Sequence, residues 1–384
     1  MSEWIESPLE DLVVSPITYG VVKPGPEKEN GVRFVRGGDI SNGKVAISKL
    51  RTISDEVSQQ YSRTLLRGNE LLISLVGNPG QVAIAPKELA GANIARQVGL
   101  IRLSDQISTH FVQYFFMSSI GKGELFRQTG GSVQQVINLK ELRTVKVPLP
   151  PLPEQRAIAK VLSSLDDKID LLHRQNETLE ALAQTLFRQW FVEEAEDDWE
   201  EKPLDEIADF LNGLACQKYP PKNNTDKLPV LKIKELRNGI SVTSDWASTE
   251  ISKEFIIQNG DVIFSWSGSL LVKIWDGEDC ILNQHLFKVT SESFPKWFYF
   301  LWTKHHLRKF ISIAESKSTT MGHIKRGDLA NSMVLIPTSK ELTSIDEVIA
   351  PMIDKLITNN QQIRTLENLR DTLLPKLMSG EVRV

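Results

Sequence analysis

The chain has 384 residues, 41% hydrophobic and 24% charged, with a formal net charge of −4. This length suggests two or three domains and this composition an ordinary globular core, so wholesale disorder is excluded. No apolar run reaches the ~18 residues of a membrane span, the start MSEWIESPLE lacks the basic and apolar regions of a secretory signal, and two cysteines, Cys216 and Cys280, without a CxxC exclude a disulfide framework or structural zinc site; a reducing cytoplasm is the expected compartment.

Charge is unevenly spread. Residues 1–152 carry 17 Lys+Arg against 14 Asp+Glu, 153–195 carry 5 against 8, 196–338 carry 17 against 20, and 339–384 carry 6 against 7. Eight acids of the third block crowd into 196–209, leaving 16 against 12 over 210–338. Two large blocks are therefore mildly basic, as a phosphate-facing surface would be, although ordinary solvated surfaces read the same way.

The first block opens on Trp4-Ile5-Glu6-Ser7-Pro8-Leu9. Gly38-Asp39-Ile40-Ser41-Asn42-Gly43-Lys44 has the outline of a phosphate loop, but Val45 stands where a magnesium-binding hydroxyl is needed. An Asn-Gly hairpin turn accounts for it. The apolar stretch 71–76 reads as a strand running into Gly77-Asn78-Pro79-Gly80-Gln81. Asn93, Arg96 and Gln97 follow, then a helical stretch over 111–127, then the polar Gln128-Thr129-Gly130-Gly131-Ser132-Val133-Gln134-Gln135. The run Pro148-Leu149-Pro150-Pro151-Leu152-Pro153 breaks any helix and marks a boundary. Beyond it Ile158, Leu162, Leu165, Ile169, Leu172, Asn176, Leu179, Ala183, Leu186 and Trp190 alternate steps of four and three. That is a heptad seam, the pattern of one helix packing on another.

From Trp199 the plan repeats. Trp199-Glu200-Glu201-Lys202-Pro203-Leu204 echoes the opening, and Glu235-Leu236-Arg237-Asn238-Gly239 echoes 39–43, where the same hairpin turn is expected. Residues 262–266 echo the strand at 71–76, and Asn283-Gln284 falls opposite Arg96-Gln97. A helical stretch over 295–313, a polar run 316–326 and Val334-Leu335-Ile336-Pro337 complete the second copy. Its seam holds Ile345, Ile349, Met352, Leu356, Asn359, Ile363 and Leu366, then Leu373 and Leu377, with Arg370 out of pattern. Each seam has one Asn, a residue that costs stability but fixes register. The expected division is 1–152, 153–195, 196–338 and 339–384, two globular α/β segments of one α+β fold, each followed by a helical region. The economical arrangement packs the two helices on each other, each a rod of roughly 50 Å. Antiparallel packing would set the globular segments at opposite ends about a pseudo-twofold axis.

Catalytic motifs are missing. There is no GxGxxG and no Asn/Asp-Pro-Pro-aromatic tetrad, Tyr219-Pro220-Pro221-Lys222 being the wrong one. Asp198-Trp199-Glu200-Glu201-Lys202 does not read as the strand core of a nuclease. None of the six histidines has metal-ligand spacing. Matching loops remain: Asn78 and Gln81 against Trp266, Ser269 and Lys273; Arg96 and Gln97 against Asn283, Gln284 and His285; Gln128, Ser132, Gln134 and Gln135 against Lys317, Thr319, Lys325 and Arg326. Arg, Lys, Asn and Gln read base edges, while Ser, Thr and glycine amides hold phosphates. Two copies with matched loops and different residues fit two domains reading two different short sequences.

These features resemble the specificity subunit of a type I restriction–modification system, over the whole chain. The most specific residues are Pro148-Leu149-Pro150-Pro151-Leu152-Pro153-Glu154-Gln155-Arg156-Ala157-Ile158-Ala159 and Leu373-Leu374-Pro375-Lys376-Leu377-Met378-Ser379-Gly380-Glu381-Val382. The resemblance implies two target-recognition domains, each reading half of a split DNA site, joined by helices packed as an antiparallel coiled coil. It implies docking of two modification subunits that methylate adenine N6, and of restriction subunits. S-adenosylmethionine, ATP and magnesium would belong to those partners, with no cofactor, metal, catalytic residue or membrane role for this chain. Pro337-Thr338-Ser339-Lys340-Glu341 replaces the Pro-Glu-Gln start of the first helix, which leaves the equivalence of the two helix starts open. A self-sufficient DNA enzyme and a coiled-coil protein scaffold are the alternative readings.

Overall fold

The computed structural model describes residues 4–127, 136–316 and 322–384. The chain divides into two compact units, residues 1–168 with 367–384, and residues 169–366. Each unit thus holds one globular segment and a stretch of both long helices.

The first unit is built on a four-stranded antiparallel sheet in the order Thr18–Tyr19, Val98–Ile101, Leu71–Ser74, Val82–Ile84. Leu71–Ser74 and Val98–Ile101 are buried at every position, as an apolar strand between two layers must be. Val32–Val35 pairs in parallel with Asn93–Ile94 and antiparallel with Arg51–Ile53. A two-stranded ribbon joins Ile5–Pro8 to Lys146–Leu149.

The second unit repeats this plan. Its sheet runs Asp209–Asn212, Leu286–Thr290, Val262–Ser265, Leu271–Ile274. Lys227–Leu231 pairs in parallel with Cys280–Leu282 and antiparallel with Trp246–Ser248. The ribbon pairs Glu200–Pro203 with Met333–Ile336. The acidic run after Asp198 thus enters a strand of this ribbon, not the core of a sheet. No residue of it is fully buried, and exposed Glu200 pairs with Lys202 at 3.1 Å.

Two expectations are corrected. The stretch 111–127 is two helices, Thr109–Met117 and Ser119–Phe126. The Ser118 hydroxyl breaks it by donating to Phe115 O and accepting from Gly121 N, competing with the helix's own bonds. The second unit has one uninterrupted helix, Lys296–Ser316. Asn42 (φ 48°) and Gly43 (φ 79°) form the expected hairpin between Ile40–Ser41 and Lys44–Val45. Asn238-Gly239 does not: Ile233–Asn238 is a helix, and Gly239, at φ 82°, ends it.

The long helices are Leu152–Arg188, extended by one π turn over Gln189–Glu193, and Ser339–Ser379. Their starts are built differently. Gln155, buried, accepts from Ser108 N (2.9 Å) and donates to Pro150 O (2.9 Å). At the second helix Thr338 and Glu341 form a capping box, Thr338 N and Oγ1 donating to the Glu341 carboxylate at 2.9 and 2.6 Å. Those two bonds hold the Glu341 carboxyl below its usual range.

Within each unit the helix stretches pack antiparallel. In the first, Ile158 and Leu162 are buried with Leu374, Leu377 and Met378, and Leu373 packs against them. Arg370, out of pattern in the sequence, donates to Asp166 at 3.1 Å, whose other oxygen accepts from Tyr114 Oη at 2.6 Å. In the second, Ile169 and Leu172 cluster with Ile363 and Leu366, and Ala183 and Phe187 with Ile349, Ile353 and Leu356. Leu165, Leu179 and Leu186 are half-buried. The two seam asparagines meet: buried Asn359 donates to Asn176 Oδ1 at 2.9 Å, and Asn176 donates to Asn360 Oδ1 at 2.6 Å.

Replacing Asn359 by Ala strands the Asn176 carbonyl oxygen and is expected to cost about 1–3 kcal/mol in urea unfolding. The double variant Asn176→Leu, Asn359→Leu removes both polar groups and is expected to be no less stable than the parent, because the seam then buries only apolar surface. A double variant as destabilised as the single one would contradict the pairing.

Candidate nucleic-acid interface

In each unit the end of the central strand, a three-residue turn and the start of a later segment are tied together by main-chain bonds. In the first unit Val21 N donates to Ile94 O (2.8 Å), Arg96 N to Val21 O (2.9 Å), Leu75 N to Gln97 O (2.7 Å) and Ile137 N to Leu75 O (3.0 Å). In the second, Leu214 N donates to Leu282 O (2.9 Å), Gln284 N to Leu214 O (2.8 Å), Trp266 N to His285 O (3.4 Å) and Ile324 N to Trp266 O (3.0 Å). Arg96 thus corresponds to Gln284 and Gln97 to His285. This corrects the sequence register by one residue: Asn283 stands opposite Ala95, not Arg96.

Side chains at these equivalent positions differ. Arg96 and Gln97 are both exposed, and neither is engaged among the described residues. Gln284 and His285 are half-buried and in contact, Nε2 to Nε2 at 3.3 Å, and His285 Nδ1 lies 3.1 Å from Ser267 Oγ. Half-buried Trp266 donates from Nε1 to Asn212 Oδ1 (3.0 Å), with ring centroids of Phe287, His285 and His323 at 5.7, 6.0 and 6.3 Å. The second unit therefore presents an aromatic and imidazole surface, and the first a flexible cation and amide.

The remaining expected residues fall into three groups. Asn78, Ser269, Lys325 and Arg326 are exposed and Gln81 half-buried, on or beside these loops. Arg326 also donates to Phe210 O at 3.2 Å. Lys273 sits on the edge strand Leu271–Ile274 and is paired with Asp276 at 2.8 Å, so its charge is partly spent locally. Asn283 and Asn93 are buried, and Asn93 is a framework residue: it donates to Ser58 O and Oγ at 3.2 Å and accepts from Thr64 Oγ1 at 2.6 Å. Gln128, Ser132, Gln134, Gln135, Lys317 and Thr319 lie outside the described residues.

Arg36 escaped the sequence reading. Arg36 follows the strand Val32–Val35, and its neighbour Gly37 lies against the loops: a Cβ there would be 3.0 Å from Ser74 Oγ and 3.5 Å from Gln97 Cβ. Arg36 grips Asp39, Nε to Oδ2 at 3.0 Å and Nη2 to Oδ1 at 2.8 Å, which raises the guanidinium pKa further. The equivalent pair is Lys232 and Glu235; Lys232 instead bonds Asp245, and Glu235 accepts from Ser244 Oγ at 3.1 Å. The repeat sets Asp39 opposite Glu235, but an isolated charge in a short irregular turn leaves no periodic trace, so nothing in the sequence singled out Arg36 or Lys232.

Burial pushes the Cys216 thiol up and, with Asp279 and Glu278 nearby, the Cys280 thiol further. Burial lowers His306 to about 4 and leaves it neutral against the Trp302 ring. Among the described residues no group of three or more His, Cys, Asp or Glu could hold a metal ion, and no helix is long and apolar enough to cross a membrane.

The family model for the type I restriction modification DNA specificity domain matches residues 1–181 and 196–369. The type I restriction enzyme MjaIX specificity subunit of Methanocaldococcus jannaschii is 27% identical over 359 residues, 87% of this chain and 82% of its own length. The EcoBI specificity subunit of Escherichia coli is 31% identical over 176 residues, 45% of this chain and 37% of its own. A solved S subunit of a type I restriction–modification system from M. genitalium shares the fold, with a TM-score of 0.60 at 15% identity, covering 98% of this chain and 96% of that one. The chain belongs to the type I restriction–modification DNA specificity family and carries that family's domain twice.

Proposed function

We propose that this chain is the non-catalytic subunit that gives a type I restriction–modification complex its DNA specificity. Each unit reads one half of a split, asymmetric site in double-stranded DNA. The helical regions, 153–195 and 339–384, dock two modification subunits, which methylate adenine N6, and the restriction subunits join that core. The chain needs no cofactor of its own: S-adenosylmethionine, ATP and magnesium serve the partners. Its place of work is the cytoplasm, with the DNA.

One observation carries this reading. The same main-chain frame recurs in both units while the residues it presents differ, Arg96 and Gln97 in one, Gln284 and His285 in the other. A fixed frame with variable side chains is what two readers of different base sequences require, because base edges differ only in their donor and acceptor pattern.

Exchanging residues 196–336 for the equivalent domain of a relative is expected to change one half of the methylated site and leave the other. Change in both halves, or in neither, would defeat the modular reading. At finer grain, Arg96→Ala and Gln284→Ala are each expected to cost about 1–3 kcal/mol of binding and to relax one base pair, in different halves. Lys325→Ala is expected to weaken binding to every sequence and to lower the salt slope by about 1. Unchanged affinity and specificity across the three would remove these loops from the interface.

A further inference from the structure

Arginine has two edges that can form paired hydrogen bonds, Nε with Nη2 along its side and Nη1 with Nη2 at its end. In Arg36 the side edge is fully engaged by Asp39, at 3.0 and 2.8 Å. Asp39 is itself fixed: its side chain is 6% exposed, and Oδ2 also accepts from Arg36 N at 2.8 Å. The Arg36 side chain is 45% exposed, and its end edge makes no hydrogen bond among the described residues. Gly37, the next residue, lies against Ser74 and Gln97, so the turn that carries Arg36 stands beside the turn that carries Arg96 and Gln97.

A fork locked by a buried carboxylate is already oriented before it meets its target, and gives up little side-chain freedom on binding. Its two parallel N–H groups match the O6 and N7 acceptors of guanine in the major groove. We infer that Arg36 reads a guanine in the half-site of the first unit, with Asp39 as the residue that positions it; this rests on the DNA-specificity reading above. The equivalent position in the second unit is built differently. Lys232 offers a point charge without a fork, and its ammonium is taken by Asp245. The device is therefore one source of the asymmetry between the halves.

The test uses the full chain in complex with its modification subunit, with methylated sites mapped for the parent and for Arg36→Ala, Arg36→Lys and Asp39→Asn. Both Arg36 variants are expected to relax a single G·C position in the first half and nothing in the second. Asp39→Asn is expected to relax the same position more weakly. A duplex carrying 7-deazaguanine at that position keeps its base pairing but lacks N7. It is expected to bind the parent complex about 10- to 100-fold more weakly, and the Arg36→Ala complex less than twofold more weakly than the unmodified duplex. A merely structural role for the Arg36–Asp39 pair would lower the melting temperature without selecting one base. Should Asp39→Asn fail to fold, Arg36→Lys, which keeps a cation beside Asp39 and removes the fork, carries the test alone. Retention of every base by Arg36→Lys, relaxation at an A·T position, or equal 7-deazaguanine penalties in parent and Arg36→Ala would overturn the inference. A parent complex that methylates no two-part site would instead overturn the specificity reading on which it rests.

Discussion

The candidate interface depends on a turn clamped by its own backbone. Arg96 and Gln97 are held because Arg96 N bonds Val21 O on one side and Gln97 O accepts from Leu75 N on the other. Gln284 and His285 are held by the same two bonds, to Leu214 and Trp266. Main-chain bonds make no demand on side chains, so the turn keeps its place whatever residues it carries. The side chains are then free to match a target, and those of the two units have diverged: an exposed guanidinium in one, an imidazole and a tryptophan in the other.

What keeps the clamp rigid lies behind it. The central strands Leu71–Ser74 and Val262–Ser265 are buried along their whole length, and Asn93–Ile94 and Cys280–Leu282, which pair in parallel with Val32–Val35 and Lys227–Leu231, enter the same cores. Buried Asn93, beside the clamp, is satisfied locally by Ser58 and Thr64. The long helices belong to these cores as much as to each other. Ile158 and Leu162 are buried with Phe111 and Phe115, while Phe187 stacks on Phe191 with the Trp302 ring edge-on at 5.0 Å. Partners docked on the helices would therefore bear on elements continuous with the reading units.

Much of this was legible in the sequence because it is periodic or duplicated. Fully apolar strands, the four-three seam and the order of matching segments all come from burial, which constrains many residues at once. The seam asparagines were legible as a register device, and in the structure Asn176 and Asn359 meet. What failed was local. Matching Arg96-Gln97 to Asn283-Gln284 aligned like with like, whereas the backbone aligns Ala95 with Asn283. The Asn-Gly pair makes a hairpin at Asn42-Gly43 and stops a helix at Asn238-Gly239, since a positive φ at glycine serves either purpose. Arg36 and Asp39 sit in a single irregular turn, where three-residue spacing carries no burial signal.

The central claim is that one chain carries two different readers. Methylation-aware sequencing of DNA from cells expressing this chain with its modification subunit tests it most directly. The account predicts a single motif of two short, unlike base runs separated by a fixed gap of unread positions, absent when either the chain or the modification subunit is omitted. An uninterrupted motif, a palindrome of two identical halves, or methylation by this chain alone would contradict it.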